Sequence, residues 1–436
     1  MYLADSRSTD SGGTKAAVAP DTRPGRRPAA VPATVLALGS VSLVTDISSE
    51  MVTAVLPLYV VAGLGLSPLG FGLLDGINNG VGALVRLAGG HLADRGGRRH
   101  KVVAGLGYGL SAVCKPLLLL AHTLPVISAV LAVDRTGKGL RTAPRDAMIS
   151  LATEPGHRGR AFGVHRAMDT TGALLGPLVA FAVLRATVDG YDAVFAVSGC
   201  IAMSGVLVLV LFVPRRIPAP ADAVRQPGPA RPPTLRDAVG LLRRPQLRRL
   251  TVCATLLGLT TVSDSFLYLL LQREGNLPAH LFPLLPLGTA AFFLLLAVPL
   301  GALADRVSRR RLFLAGHGVL LLGYGLVLSP WQGVPVVVGV LVLHGTFYAA
   351  TDGVLAAATA GVVPAQQQGA GQALVGTGQA LARFVCSLAF GAAWSLWGGR
   401  TAFAGTAAAL AVSAVVASIV LRAADEAPST IEEVPA

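Results

Sequence analysis

The sequence predicts an all-α membrane protein with twelve transmembrane helices in two pseudo-symmetric six-helix bundles. The first observation behind this prediction is composition, because 53% of the 436 residues are hydrophobic and only 14% are charged. Soluble domains carry about 25% charged residues, so a soluble protein is excluded. The second observation is a series of apolar runs near the ~20 residues that a helix needs to cross a bilayer. The runs lie at residues 34–63, 67–91, 101–121, 125–152, 159–185, 190–213, 248–272, 279–304, 311–329, 335–362, 369–395 and 399–422.

The third observation is an internal repeat. GHLADRGGRR, from Gly90 to Arg99, follows the second run, and GALADRVSRR, from Gly301 to Arg310, follows the eighth. Secondary transporters are commonly built from such repeats, with the binding site between them. The predicted divisions are a disordered cytoplasmic tail (1–33), an N-terminal bundle (34–213), a basic proline-rich cytoplasmic linker (214–247), a C-terminal bundle (248–422) and a cytoplasmic tail (423–436).

The distribution of positive charge predicts the orientation in the membrane. The formal net charge is +13, and 26 of the 36 lysines and arginines fall in the tails and loops on one side of the predicted topology. This is the pattern of cytoplasmic loops, so both termini are expected in the cytoplasm and nucleic-acid binding is excluded. The heavy use of Ala, Gly and Arg, with only four lysines, indicates a bacterium with a GC-rich genome. A bacterial plasma membrane is therefore the predicted location. The four cysteines are dispersed in apolar runs, and no metal site is predicted.

The fourth run carries charges that a membrane helix seldom tolerates. Arg135, Lys138, Arg141 and Arg145 are spaced three, three and four residues apart, which places them along one side of a helix. A charge at the bilayer centre costs roughly 2.5–3.5 kcal/mol on insertion scales. We therefore expect this side to line a polar pathway for a substrate or for protons. Lys115, close to a helix end, is expected to extend to the membrane surface.

Asp46 and Glu50 in the first run are four residues apart and share a helix face. Counted from the cytoplasmic ends of the two helices, they lie at the depth of Lys138 and Arg135, respectively. This predicts ion pairs between the first and fourth helices, which are a purely structural device or a proton or cation site. On the second interpretation, protonation of Asp46 or Glu50 releases the pairing and couples proton entry to a change of access.

Acidic and basic residues of the C-terminal half are further candidates. Asp264 in the seventh run is either a cavity-lining carboxylate or a hydrogen-bond partner of a neighbouring helix. His344 and Asp352 are eight residues apart in the tenth run and are predicted to share a face. His344 is either a packing residue or a ligand of substrate or protons. Arg383 in the eleventh run is predicted to pair with Asp352 or with Asp264.

The first copy of the repeat resembles the most specific motif of the major facilitator superfamily, G-x-x-x-D-R-x-G-R-R, and the resemblance extends over residues 34–422. In the second copy Ser308 stands where a glycine is expected. The resemblance implies a conformational switch that locks one access state through contacts of Asp94 with a helix N-terminus and of Arg98 with Asp146. The residues assigned to this switch are Gly90, Asp94, Arg95, Gly97, Arg98, Asp146, Asp305 and Arg306.

The fifth run resembles the start of a motif associated with antiporters in that superfamily, through Gly172, Gly176 and Pro177. More narrowly, the segments 46–50, 137–146 and 348–353 resemble a bacterial exporter subgroup that includes nickel-resistance-type transporters. These resemblances imply an exporter, but they do not identify its cargo.

Together these observations predict a proton-coupled antiporter that exports a small molecule, either a drug, a metabolite or a metal cation, by alternating access. The alternatives are a proton-coupled uptake symporter and a non-transporting membrane sensor with a transporter fold. An enzyme is not predicted. The proton gradient is the expected driving force, no cofactor is expected, and the expected partners are the substrate and the lipid bilayer around a monomer.

Overall fold

The computed structural model of the protein describes residues 31–95, 100–154, 157–187, 190–214, 240–363 and 367–425. Within these ranges the chain forms α-helices joined by short turns and contains no strand. The helices are α1 Ala33–Leu58, α2 Pro68–Arg95, α3 His100–Leu117, α4 Leu124–Leu151, α5 Arg158–Ala186, α6 Tyr191–Phe212, α7 Pro245–Thr260, α8 Asp264–Glu274, α9 Leu284–Arg306, α10 Arg309–Leu328, α11 Val334–Ala360, α12 Gln368–Trp397 and α13 Gly399–Asp425.

The twelve predicted spans correspond to these helices, with one span divided in two. The seventh span is broken at Thr261–Ser263 into α7 and α8, which the apolar pattern did not predict. Ten of the described helical segments are long and apolar enough to cross a membrane. The charged helix α4 is not among them, although its 28 residues exceed the length required. Its polar side chains therefore need partners inside the bundle.

The ends of two helices differ from the predicted divisions. Helix α7 begins at Pro245, inside the segment predicted as linker, and α13 continues to Asp425, inside the predicted C-terminal tail. Residues 1–30, 215–239 and 426–436, which hold most of the two tails and the linker, lie outside the described residues. The division into these segments stays a prediction there.

Glycines allow α5 to pack directly on α1. A Cβ atom at position 172 would lie 2.4 Å from the carbonyl oxygen of Leu43, and one at position 176 would lie 2.7 Å from Glu50 Cβ. No larger residue fits at such distances, because the contacts are with backbone atoms and a side-chain stem. Small residues commonly provide close approach between membrane helices. The predicted antiporter-type motif is thus placed at the α1–α5 contact.

The two halves meet along α2 and α12. Ser395 Oγ accepts a hydrogen bond from the Leu69 backbone N–H at 3.1 Å. Next to this contact, the Phe266 ring of α8 lies 5.0 Å from Phe71 and 4.8 Å from Phe390, measured between centroids. These residues belong to the first turns of α2 and α8 and the last part of α12, so one end of the bundle is closed by contacts between the halves.

Candidate functional site

A cavity of about 440 Å³ lies between the two halves. Both halves contribute to its wall, from α1, α2 and α5 on one side and from α8, α9, α11 and α12 on the other. The break between α7 and α8 exposes Thr261–Ser263 to this space. The charged residues of the lining are Glu50, Asp75, Asp264, Asp352 and Arg383. Four carboxylates and one guanidinium give the lining a net negative charge when all five groups are ionised.

Helices α1 and α4 are joined by ion pairs. Lys138 Nζ lies 3.8 Å from Glu50 Oε1, and Arg141 Nη2 lies 3.5 Å from Asp46 Oδ1. The Arg141 guanidinium also lies over the Tyr108 ring, 4.5 Å from its centroid. Counting residues from the cytoplasmic helix ends predicted Lys138 beside Asp46 and Arg135 beside Glu50. The observed pairs are shifted from this prediction by about one helical turn along α4.

The other two bases of α4 also find partners inside the bundle. Arg135 Nη2 donates to Thr53 Oγ1 at 3.4 Å. Arg145 Nε donates to Asp146 at 3.0 Å, and its Nη1 lies 3.7 Å from Asp169 on α5. The described lining of the central cavity contains none of the four bases, and their role in a polar pathway stays a prediction. They are paired with acidic groups or hydrogen-bonded to hydroxyl groups inside the bundle, and the row of bases contacts the cavity wall through Glu50.

Lys115 does not extend to the membrane surface, which corrects the prediction made for it. Its side chain is 3% exposed, and Nζ lies 2.9 Å from Asp134 Oδ1. Ser111 Oγ also donates a short hydrogen bond to that oxygen. Asp134 and Lys115 therefore form a buried ion pair between α3 and α4, one of the interactions that fix α4 in the bundle.

Asp264 is held by two residues of α11. Tyr348 Oη donates to its carboxylate at 2.7 and 2.9 Å, and His344 Nε2 lies 3.0 Å from Oδ1. The His344 side chain is 1% exposed, whereas that of Asp264 is 39% exposed and lines the cavity. Both alternatives for Asp264 therefore apply, since it lines the cavity and also bonds a neighbouring helix. Asp352 lines the cavity as well, but His344 is buried behind Asp264.

Sequence reasoning missed the contribution of α2 to the cavity. Asp75 is 5% exposed, and its Oδ2 accepts a hydrogen bond from Ser387 Oγ of α12 at 2.5 Å. Asn78 and Asn79 line the cavity beside it. The signal was present, because polar residues at i, i+3 and i+4 in an apolar run share one helix face. The bond from Ser387 to Asp75 also joins the two halves beside the cavity.

Most of the predicted conformational switch cannot be compared with the structure. Gly97 and Arg98 lie outside the described residues, and the side chains of Asp94, Arg95 and Asp305 are likewise not described. Gly90 lies within α2, and Arg306 is the exposed last residue of α9. Asp146 accepts a hydrogen bond from Arg145. The role of these residues as a switch stays a prediction.

The antiporter-type residues lie beside the cavity. Pro177 lines the cavity, and Gly176 packs on the stem of Glu50. The motif thus holds α5 against the turn of α1 that carries the cavity-lining glutamate. Any bulkier residue at position 176 would displace that turn.

Comparison with known proteins agrees with this architecture. The family model of the Major Facilitator Superfamily matches residues 38–287 and 265–436. An MFS-type transporter of Methanocaldococcus jannaschii is 27% identical over 308 residues, which are 67% of this chain and 72% of that protein. A Mycobacterium tuberculosis protein is 35% identical over 189 residues, 43% of this chain and 45% of its own length.

Among solved structures, the chain is similar to a mutant of the nucleoside transporter NupG, with a TM-score of 0.76 at 14% identity. The alignment covers 89% of this chain and 99% of that one. At this identity the likeness concerns the fold, and it agrees with two six-helix bundles around a central cavity. With the family model matching nearly all of the described residues, the chain is a multi-pass membrane transporter that belongs to the major facilitator superfamily.

Proposed function

We propose that the protein is a proton-coupled antiporter that exports a small molecule across a bacterial plasma membrane by alternating access. The observation that carries the proposal is that Glu50 belongs both to the cavity wall and to the α1–α4 contact. Its carboxylate lines the central cavity and also lies 3.8 Å from Lys138 of α4. A proton that binds to Glu50 removes the charge that holds Lys138, so events in the cavity act directly on the α1–α4 contact.

The α1–α5 contact and the predicted orientation support export as the direction of transport. Gly176 of the antiporter-type motif packs on the turn of α1 that carries Glu50, the proposed proton-binding residue. The distribution of basic residues supports cytoplasmic termini. Because one chain supplies both sides of the cavity, a monomer is sufficient. The proton gradient drives the cycle without a bound cofactor.

The closing of one end of the bundle supports alternating access. Contacts between the halves surround Leu69, Phe266 and Ser395 at the end where α2 begins. By the predicted orientation, this end faces away from the cytoplasm. The cavity in this state is therefore positioned to receive cargo from the cytoplasm. Rocking of the halves about the cavity would separate these contacts and open the cavity at the face away from the cytoplasm.

Replacing Glu50 by glutamine is expected to abolish proton-driven transport, because the amide cannot bind a transferable proton. The test uses everted membrane vesicles that are acidified by respiration and contain a quenched amine dye. A panel of antibiotics, amines, amino acids and divalent metals is added to the medium. Antiport of a panel member relieves the quenching in wild-type vesicles, and we expect at least a tenfold smaller response for Glu50→Gln, an effect typical of losing one proton-transfer group.

Glu274→Gln is the matched control, since Glu274 pairs with Arg400 at 3.2 Å in an exposed position outside the cavity. It should respond like the wild type. A full response from Glu50→Gln would remove the coupling role of this residue. The absence of any response in wild-type vesicles, with uptake of a compound in right-side-out vesicles instead, would favour the symporter.

A further inference from the structure

Most ionisable groups of the cavity wall already have partners. Glu50 lies beside Lys138, and Asp75 accepts from Ser387. Asp264 is bound by Tyr348 and His344. These carboxylates have fixed positions and neutralising or donating neighbours. They shape the electrostatic field of the cavity, but their primary bonds are made within the protein.

Asp352 and Arg383 differ from these groups. Among the described residues neither side chain forms a hydrogen bond or a short ion pair. Arg383 interacts with Asp352 and Asp264 only through longer-range electrostatic attraction, so the predicted pairing of Arg383 is not a direct one. Asp352 and Arg383 both line the central cavity and also a second chamber of about 40 Å³ next to it. They therefore stand where the two spaces adjoin. Asp352 is exposed there and Arg383 is half-buried.

Two opposite charges that make no direct bond at membrane depth have a physical cost. A charge in this region is unfavourable unless water, a ligand or a neighbouring charge compensates it. Arg383 is also within electrostatic range of Asp264, Asp352 and Asp75. A purely anionic ligand would be repelled by these carboxylates, and a purely cationic ligand would leave the guanidinium without a partner.

We propose that Asp352 and Arg383 are the cargo-binding charges and that the cargo is a small zwitterion. Asp352 binds the ammonium group, and Arg383 binds the carboxylate or phosphonate group through its planar pair of N–H donors. This assignment deepens the proposed transport function and rests on it.

The apolar part of the cavity wall indicates the character of the uncharged part of the cargo. Phe282, Pro286 and Phe293 line the cavity together with Tyr268 and so give it an apolar surface. A volume of about 440 Å³ lies within the range of small-molecule sites. The preferred cargo is accordingly an amino acid or dipeptide with an apolar side chain, or its phosphonate analogue.

The test measures thermal stabilisation of the purified full-length protein in detergent, without a proton gradient. The probes are L-phenylalanine and L-leucyl-L-phenylalanine, each free, as the C-terminal amide and with an acetylated N-terminus, and the phosphonate analogue of phenylalanine. We expect stabilisation by a free zwitterion and binding about 30-fold weaker for its capped forms, as is typical when one partner of a buried charge pair is removed. Comparing the phosphonate analogue with phenylalanine itself shows whether the site prefers a phosphonate or a carboxylate.

Variants identify which residue binds which end. Asp352→Asn should bind the zwitterion more weakly but the acetylated form as before, because the acetylated form has no ammonium group. Arg383→Gln should bind the zwitterion more weakly but the amide as before, because the amide has no carboxylate. A merely structural role would not change this preference. Asp192→Asn and Arg185→Gln, which lie outside the cavity lining, are the matched controls and should bind like the wild type.

Equal binding of the amide and the zwitterion would replace the proposal by a cation site. Stabilisation by none of the probes, or unchanged preferences in both variants, would overturn it. This binding assay contains no proton gradient, whereas the vesicle assay requires one. Failure of proton coupling and failure of zwitterion binding are therefore distinguishable.

Discussion

Replacing Lys115 by methionine is expected to destabilise the protein by about 3–5 kcal/mol, the range for breaking a buried ion pair. The substitution removes the ammonium group that lies 2.9 Å from Asp134 Oδ1. The Asp134 carboxylate would stay buried with the Ser111 hydroxyl and with Arg135 Nε at 3.9 Å as its nearest remaining partners. Neither replaces a bonded ammonium, because the first is neutral and the second is beyond hydrogen-bond distance.

Thermal unfolding of the detergent-purified protein measures this effect. Lys138→Met is the matched control, since Lys138 is 38% exposed and lies 3.8 Å from its carboxylate, and exposed pairs contribute about 0–1 kcal/mol. The double variant Lys115→Met/Asp134→Leu should recover most of the lost stability, because neither charge of this pair then stays buried. Equal unfolding temperatures for the two lysine variants would contradict the assignment of Lys115–Asp134 as a buried pair.

Replacing Gly391 by valine is expected to prevent the two halves from closing at the end where α2 begins and to reduce transport at least tenfold. A Cβ atom at position 391 would lie 2.5 Å from the Pro68 carbonyl oxygen and 3.1 Å from Leu69 Cα. The first distance is too short for any Cβ, and backbone atoms cannot rotate away as a side chain can. α2 and α12 must therefore separate, which favours the state open at this end.

Transport assays and cysteine labelling measure the two consequences. A cysteine placed at the cavity-lining position Asn79, in a chain without its other cysteines, reports which side of the membrane reaches the cavity. In Gly391→Val it should react with an impermeant maleimide from the side where α2 begins. Gly376→Val on the same helix is the control, since a Cβ at position 376 meets no atom within 4 Å. Wild-type transport by Gly391→Val would show that this contact does not open during the cycle.

The agreement between prediction and structure is best where hydropathy alone determines the outcome. The bounds of most helices lie within two or three residues of the predicted spans, since a helix must match the thickness of the bilayer. The break between α7 and α8 was missed, because Thr261–Ser263 interrupts the helix without interrupting the apolar composition. The contribution of Asp75 to the cavity was missed because the polar face formed by Asp75, Asn78 and Asn79 does not reveal which space or helix it faces.

The sequence by itself determined the twelve spans, their division into two halves and the presence of charges that must be neutralised inside the membrane. Only the tertiary structure decided which partner each charge has. The lateral position and axial offset of neighbouring helices select the pairs, and an offset of one turn, about 5.4 Å, exchanges one partner for the next. That is why Glu50 meets Lys138 and Lys115 meets Asp134, whereas Asp352 and Arg383 line the cavity without a hydrogen bond or short ion pair among the described residues.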